Sequence, residues 1–138
     1  MSTDPPRPKR NRWNTPFWEA CNAHRLIAQR CSASGRLWLP PGPVSPFSRD
    51  TRWSWETLAG TGTVETWARM HQRYYPDFPE RLPYNVVHVR FDEGPAWISN
   101  LVGDDDRDPE IGMRVQVHFV DYGQGDERWS FPKFVPLA

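Results

Sequence analysis

Apolar and polar residues alternate along most of the second half of the chain, and each alternating run ends on turn chemistry. In residues 85–91, Val87, Val89 and Phe91 fall on one face and His88 and Arg90 on the other, the period-two pattern of a half-buried strand. Asp92, Glu93 and Gly94 then turn the chain into a second run at 96–102. A longer acidic connection, containing Asp104, Asp105 and Asp106, precedes residues 111–120, where Met113, Val115, Val117 and Phe119 share a face. A polar turn at 121–127 leads into a last apolar run at 128–137. Upstream, residues 53–72 form one long stretch rich in Thr and Trp. Gly60 and Gly62 interrupt it, a pair that marks a bulge or a bend at a barrel corner. Five short strands with the longer connection between the third and fourth predict a small Greek-key barrel of the OB type.

The first third follows other periods. Thr15 is expected as an N-cap with Pro16 at the first helical position, and Phe17, Trp18 and Cys21 then lie on one side of a short amphipathic helix. Residues 25–31 read as a strand, Ser34 and Gly35 as a turn, and 36–40 as a second strand ended by Pro40, Pro41 and Pro43. The fold class is therefore mainly β: a five-stranded OB-fold barrel preceded by an N-terminal helix and a hairpin module. The expected divisions are a disordered tail at 1–13, the helix and hairpin module at 14–50, and the barrel at 51–138.

That hairpin module has the spacing of a metal knuckle. Cys31 and Ser34 stand two residues apart, as do Ser45 and Ser48. Cysteine at all four positions would make a four-thiolate zinc pattern. One thiolate and three neutral hydroxyls do not hold structural zinc, so no metal and no other cofactor are expected. A site built from Cys21, His24 and Cys31 would still lack a fourth ligand, and a buried structural cysteine is the better reading.

Composition narrows the function. The chain has 138 residues, 17 basic and 17 acidic, for a net charge of zero. Such a balance weakens nucleic-acid binding, which depends on a basic stripe for phosphate contacts. The bases are almost all arginine, with lysine only at Lys9 and Lys133. No apolar run approaches the ~18 residues that cross a bilayer, and the polar, proline-rich start is unlike a secretory signal. Two dissimilar cysteines suit a reducing, cytoplasmic setting. Eight tryptophans are ring surface for a core or for an interface.

No self-sufficient catalytic constellation is visible. His88 and His118 lie opposite the valines of their strands, His71 sits at a strand end, and none has a partner in sequence. The acidic run at 104–106 reads as a solvated loop, and the glycines at 60 and 62 precede strand rather than a helix. The best candidate is the loop at 73–84, which joins the first two barrel strands, a place where OB-folds bind ligands. It offers Tyr74, Tyr75 and Phe78 beside Arg73 and Arg81. Stacking rings with arginines suit single-stranded nucleic acid, the adenine of CoA, or a partner surface.

Several segments together resemble a known family: "FWEA" leading to Cys31 and Gly35, "LWLPPGPVSP", "GTGTVETW", "LPYNVVHVRFDEGPAWISNL" and "IGMRVQVHF". The likeness covers residues 17–136. It is to the thiolase-associated OB-fold family, in which an N-terminal helix and a rubredoxin-like zinc ribbon precede a C-terminal OB-fold. The resemblance implies a non-catalytic partner of a thiolase-superfamily enzyme, packed on the thiolase fold and helping to shape its acyl-CoA channel. Such enzymes include acetyl-CoA acetyltransferases, polyketide-like acyltransferases and aldolases that shorten steroid side chains. Acyl-CoA is then a ligand of the complex. Phe17, Trp18, Leu37 and Trp38 become candidates for the partner contact or for packing beneath it. The three serines depart from the family's ligand set, and a metal worth on the order of 10 kcal/mol in small zinc folds needs a substitute. Leu37, Trp38, Leu39, Val44 and Phe47 are the expected substitute, with Phe47 filling the space between the turns. The rival readings are a single-stranded nucleic-acid-binding OB module and a free-standing acyl-CoA binder.

Overall fold

The computed structural model describes residues 4–74, 81–103 and 107–137. The first helix, α1 (Thr15–Asn22), is capped one residue earlier than expected, at Asn14. Asn11 and Asn14 fix that start reciprocally: each backbone N–H donates to the other's side-chain oxygen, at 2.7 and 2.8 Å. Thr15 is thus inside the helix, its hydroxyl donating back to the Asn11 carbonyl. Phe17, Ala20 and Cys21 form the buried stripe. Before it, the described part of the segment expected as a tail carries no helix or strand. It runs along the barrel, where the Asp4 carboxylate accepts the Gly123 N–H at 2.9 Å.

Two sheets follow. The smaller has the order β2-β1-β3, built from β1 (Ile27–Cys31), β2 (Leu37–Trp38) and β3 (Trp53–Thr57), all antiparallel. Residues 53–72 are therefore two strands, not one, and the first belongs with the hairpin module. The break has a physical cause. Leu58 is buried and its N–H donates to the Leu26 carbonyl at 2.9 Å, holding β3 to β1, and Gly60 then turns the chain at φ +85°.

The larger sheet has the order β6-β5-β4-β7-β8, from β4 (Thr61–Met70), β5 (Tyr84–Phe91), β6 (Ala96–Ser99), β7 (Arg114–Tyr122) and β8 (Trp129–Pro136). Numbered within the barrel this is 3-2-1-4-5, and a parallel bridge between Leu101 and Phe134 brings the third strand's end against the fifth. The Val102 N–H donates to the Phe134 carbonyl at 2.7 Å, and the Phe134 N–H to the Asn100 carbonyl at 3.0 Å. Along the rest of that seam Pro132 has no N–H to give. Its carbonyl accepts the Ser99 hydroxyl at 2.7 Å and the Trp97 indole at 3.3 Å. The result is a nearly closed five-stranded barrel with one α-helix among the described residues, an OB-fold.

The alternation read from sequence holds: Val87, Val89, Phe91 and Val115 are buried, and Met113, Val117 and Phe119 pack partly buried against them. A bulge in β4 falls between Val64 and Thr66, after the glycine pair. Gly62 marks a close approach instead: a Cβ there would meet the Arg90 carbonyl oxygen at 2.5 Å.

The helix seals the β8 side of the barrel. Phe17 lies 5.2 Å from Trp97, and Trp18 stacks on Phe131 at 5.7 Å, between ring centroids. Its C-terminal end is clasped from the side. His24, at φ +57°, brings its Nε2 to 2.8 Å from Asp121 Oδ1 and stacks its ring on Phe119. Arg128 reaches the same carboxylate oxygen at 3.0 Å and the Asn22 carbonyl at 2.9 Å. The Ser130 hydroxyl donates to Asp121, and the Ser130 N–H to the Asn22 side chain. The Ser130 and His24 hydrogen bonds, helped by the Arg128 charge, hold the Asp121 carboxyl below the usual carboxylate range.

Two outcomes follow from these contacts. Gly62→Ala is expected to cost about 1–3 kcal/mol through overpacking against backbone that has little room to move; an unchanged denaturation midpoint would overturn the close approach. A depressed carboxyl stabilises the fold fully above its unfolded pKa, and that contribution is lost as pH falls through the lower folded value. Asp121→Asn should therefore lower the melting temperature at neutral pH, with the gap to the unmodified chain narrowing below about pH 4. A gap that persists unchanged into strong acid would remove the carboxylate from the clasp.

Candidate functional site

Between the turns of the small sheet and the β5–β6 turn lies an open groove of about 640 Å³. Its floor includes Leu37, Trp38 and Leu39, and its rim Arg30, Arg36 and Arg90. Arg30 and Arg90 are fixed by carboxylates: Arg30 pairs with Glu56 and donates to the Gly35 carbonyl, and Arg90 pairs with Glu65 at 3.0 Å. Arg36 lies over the Phe47 ring, 3.8 Å from its centroid. These arginines were not among the candidates from sequence. The signal existed only as Arg30 and Arg36 at the turn 31–36 and Arg90 on the polar face of its strand, a pattern that reads equally well as solvated residues.

The sequence candidates divide by burial. Phe17 has no exposed surface, and Leu37 and Trp38 are 8% and 6% exposed, so these three support a surface rather than form one. Trp18 is half-buried among Phe17, Trp97 and Phe131. In the loop after β4, Arg73 and Arg81 are exposed and Tyr74 is 59% exposed. None of these three lines the groove. Tyr75 and Phe78 lie outside the described residues, as do Asp104, Asp105 and Asp106. All eight tryptophans are buried or half-buried, so the apolar surface left outside is carried by other residues, Val44, Phe47, Ile98 and Ile111 among them.

Phe47 corrects an expectation. It is 38% exposed and does not fill the space between the two turns. Ser45, 1% exposed, and Cys31, fully buried, occupy that space with small polar groups, leaving no room for a ring. Cys31 Sγ lies 3.1 Å from Ser48 Oγ and accepts the Ser34 N–H at 3.4 Å. Hydrogen bonds from Ser34, Ser45 and Ser48 pull the Cys31 thiol down to about 6. Cys21 is the opposite case: burial in the helix seam pushes its thiol up to about 12, where it is inert. With His24 engaged by Asp121, the three residues Cys21, His24 and Cys31 serve three separate neighbourhoods. His88, which has no partner visible in sequence, gains one in the fold. It is half-buried, with Nδ1 3.1 Å from Glu65 Oε2, sharing that carboxylate with Arg90. His71 and His118 are exposed.

The chain's relatives can now be set beside this geometry. Residues 55–120 match the family model described as ChsH2, C-terminal OB-fold domain. A protein of Thermomonospora curvata, "Probable enoyl-CoA hydratase alpha subunit", is 37% identical over 133 residues, 96% of this chain. The chain spans 40% of that protein's length. Among solved structures, a chain of the "Ltp2-ChsH2(DUF35) aldolase" superposes with a TM-score of 0.77 at 36% identity, covering 94% of this chain and 98% of that one. A DUF35-family protein from Sulfolobus solfataricus shares the fold, with a TM-score of 0.56 at 12% identity over 74% of each chain. On the strength of the 36% identity across nearly all of a solved relative, this chain belongs to the DUF35 OB-fold family.

Proposed function

We propose that this chain is a non-catalytic accessory subunit of a thiolase-fold enzyme acting on an acyl-CoA, of the kind that shortens a steroid or similar lipid side chain. The observation that carries the reading is the likeness, over almost the full length, to the DUF35 chain of an aldolase complex. The local chemistry agrees. The described histidines are paired with carboxylates or solvated, the Cys21 thiol is inert, and Cys31 has no solvent access. What the surface offers a partner includes Phe47, which lines the groove and is 38% exposed, and Val44, three residues earlier and 41% exposed. Leu37 and Trp38 lie beneath that region as support.

A nucleic-acid role has less to stand on. Arg30, Arg69, Arg90, Arg114 and Arg128 each meet a carboxylate of the same chain, so their charge is balanced before any phosphate arrives. Labelled single-stranded oligonucleotide at physiological salt should bind no tighter than the ~10⁻⁴–10⁻⁶ M typical of nonspecific contacts. Submicromolar binding abolished by Tyr74→Ala would favour the nucleic-acid reading instead.

The accessory reading is tested by co-expressing the chain with candidate thiolase-fold enzymes encoded beside it. A stable complex on size-exclusion chromatography is expected, with the acyl-CoA cleaved to a shorter acyl-CoA in the complex, read by mass spectrometry, and no cleavage by this chain alone. Phe47→Asp should weaken the complex about tenfold or more, equivalent to about 1.4 kcal/mol, while the barrel keeps its melting temperature. Turnover by the isolated chain, or a monomer indifferent to every such enzyme, would defeat the proposal.

A further inference from the structure

Two turns of the hairpin module repeat one another bond for bond. In the turn at 31–36 the Cys31 N–H donates to the Arg36 carbonyl and the Gly35 N–H to the Cys31 carbonyl, both at 2.8 Å. In the turn at 45–50 the Ser45 N–H donates to the Asp50 carbonyl and the Arg49 N–H to the Ser45 carbonyl, both at 2.9 Å. The fifth residue of each is left-handed: Gly35 at φ +73° and Arg49 at φ +62°. For a side chain with a Cβ this conformation costs roughly 1–2 kcal/mol, so something in the turn outweighs it at Arg49.

The side chains repeat as well. Ser34 N–H donates to Cys31 Sγ, and Ser48 N–H to Ser45 Oγ, both at 3.4 Å. Arg36 N–H donates to Ser34 Oγ at 3.3 Å, and Asp50 N–H to Ser48 Oγ at 3.2 Å. Each of the four positions thus points a sulfur or oxygen at a backbone N–H within its own turn, and the turns meet where Cys31 Sγ faces Ser48 Oγ at 3.1 Å. Backbone amides aimed at four heteroatoms in two matched turns is the arrangement that holds four thiolates around a tetrahedral ion. The donors present do not fit that ion, since a serine hydroxyl stays protonated at neutral pH and is a poor ligand for zinc.

We infer that this module is a complete two-turn metal frame in which a hydrogen-bonded cluster of Cys31, Ser34, Ser45 and Ser48 stands in the place of the ion. It stands apart from the accessory-subunit reading and survives if that reading fails. The frame is joined to the sheet by further polar links. The fully buried Gln29 side chain donates to the Gly42 carbonyl and accepts the Gly42 N–H, both at 2.8 Å, and the Trp53 indole donates to the Pro43 carbonyl at 3.3 Å. These bonds place the proline-rich return without help from a metal.

The test has two arms. Elemental analysis of the unmodified chain, purified without chelator, should find far less than one zinc per molecule; a stoichiometric ion would overturn the inference. The full chain carrying Ser34→Cys, Ser45→Cys and Ser48→Cys, kept reduced, is titrated with cobalt(II). One equivalent giving the visible bands of tetrahedral tetrathiolate cobalt is expected, with none from the unmodified chain. A folded triple variant without those bands would show that the frame is not set for a metal. Should the triple variant not fold, hydrogen exchange on Cys31→Ala and on Ser48→Ala decides. Amides of residues 34–36 and 48–50 should exchange roughly tenfold faster, or about 1.4 kcal/mol in local opening, while barrel amides keep their protection. Unchanged exchange in both turns would remove the cluster from its role.

Discussion

The passage from the small sheet into the barrel runs through five residues, and their fit constrains both sheets. Leu58 is held by the Leu26 carbonyl and buried, which ends β3 in register with β1. Gly60 then takes a left-handed turn so tight that a Cβ would lie 2.3 Å from a methyl of Val117. Its own carbonyl accepts the Val117 N–H at 2.8 Å, which joins the first and fourth barrel strands at the point of entry. Two residues later Gly62 sits against the Arg90 backbone, joining the first strand to the second. One short stretch thus touches β1, β5 and β7 at once. A side chain at either glycine would push the start of the first barrel strand off its neighbours, off β7 at Gly60 and off β5 at Gly62.

The helix depends on that arrangement instead of its own propensity. At eight residues it is too short to be stable alone in water. Its order comes from Phe17 and Trp18 entering the aromatic seam with Trp97 and Phe131, and from Asp121, Arg128 and Ser130 holding its C-terminal end. The ion pairs of that clasp are partly exposed, and pairs of this kind contribute less than about 1 kcal/mol each. The apolar seam supplies most of the attachment, and the clasp sets its orientation.

How far the sequence showed this depended on the range of each contact. Strands buried on one face announce themselves through alternation, so the barrel from Val87 to Phe119 was legible, as was the turn at Gly94. The division of 53–72 was not, because β3 finds its partner in β1, some 26 positions earlier, and alternation within a strand is silent about which neighbour it has. The clasp joins His24 to Asp121 across 97 positions, and nothing near either residue hints at the other. Phe47 was misplaced for a different reason. Hydrophobicity suggested an inward ring, but the inner positions of the paired turns are fixed by backbone geometry at Ser45 and Cys31, and the ring is left outside.

That last point bears on how, under the inference drawn above, the two turns would hold their shape with a hydrogen-bonded cluster in place of an ion. A structural zinc contributes on the order of 10 kcal/mol, whereas a net hydrogen bond contributes about 1 kcal/mol. The cluster around Cys31 cannot match the metal by itself, so the remainder must be spread over the sheet. The contacts are of the right kind: a buried Gln29 amide satisfied by Gly42, an indole on Pro43, and Arg30 spanning Gly35 and Glu56. The first two fix Gly42 and Pro43 on the return from β2 to β3 and the third ties the turn at 31–36 to β3, so the loss of one leaves the others in place. A metal concentrates stability at one centre and leaves the loops around it free to vary. A distributed set ties the loop backbone itself to β1 and β3, and so fixes the surface on which Val44 and Phe47 are presented. Under that inference the outward placement of Val44 and Phe47 and the hydrogen-bonded centre would both follow from many weak bonds acting where one strong centre could.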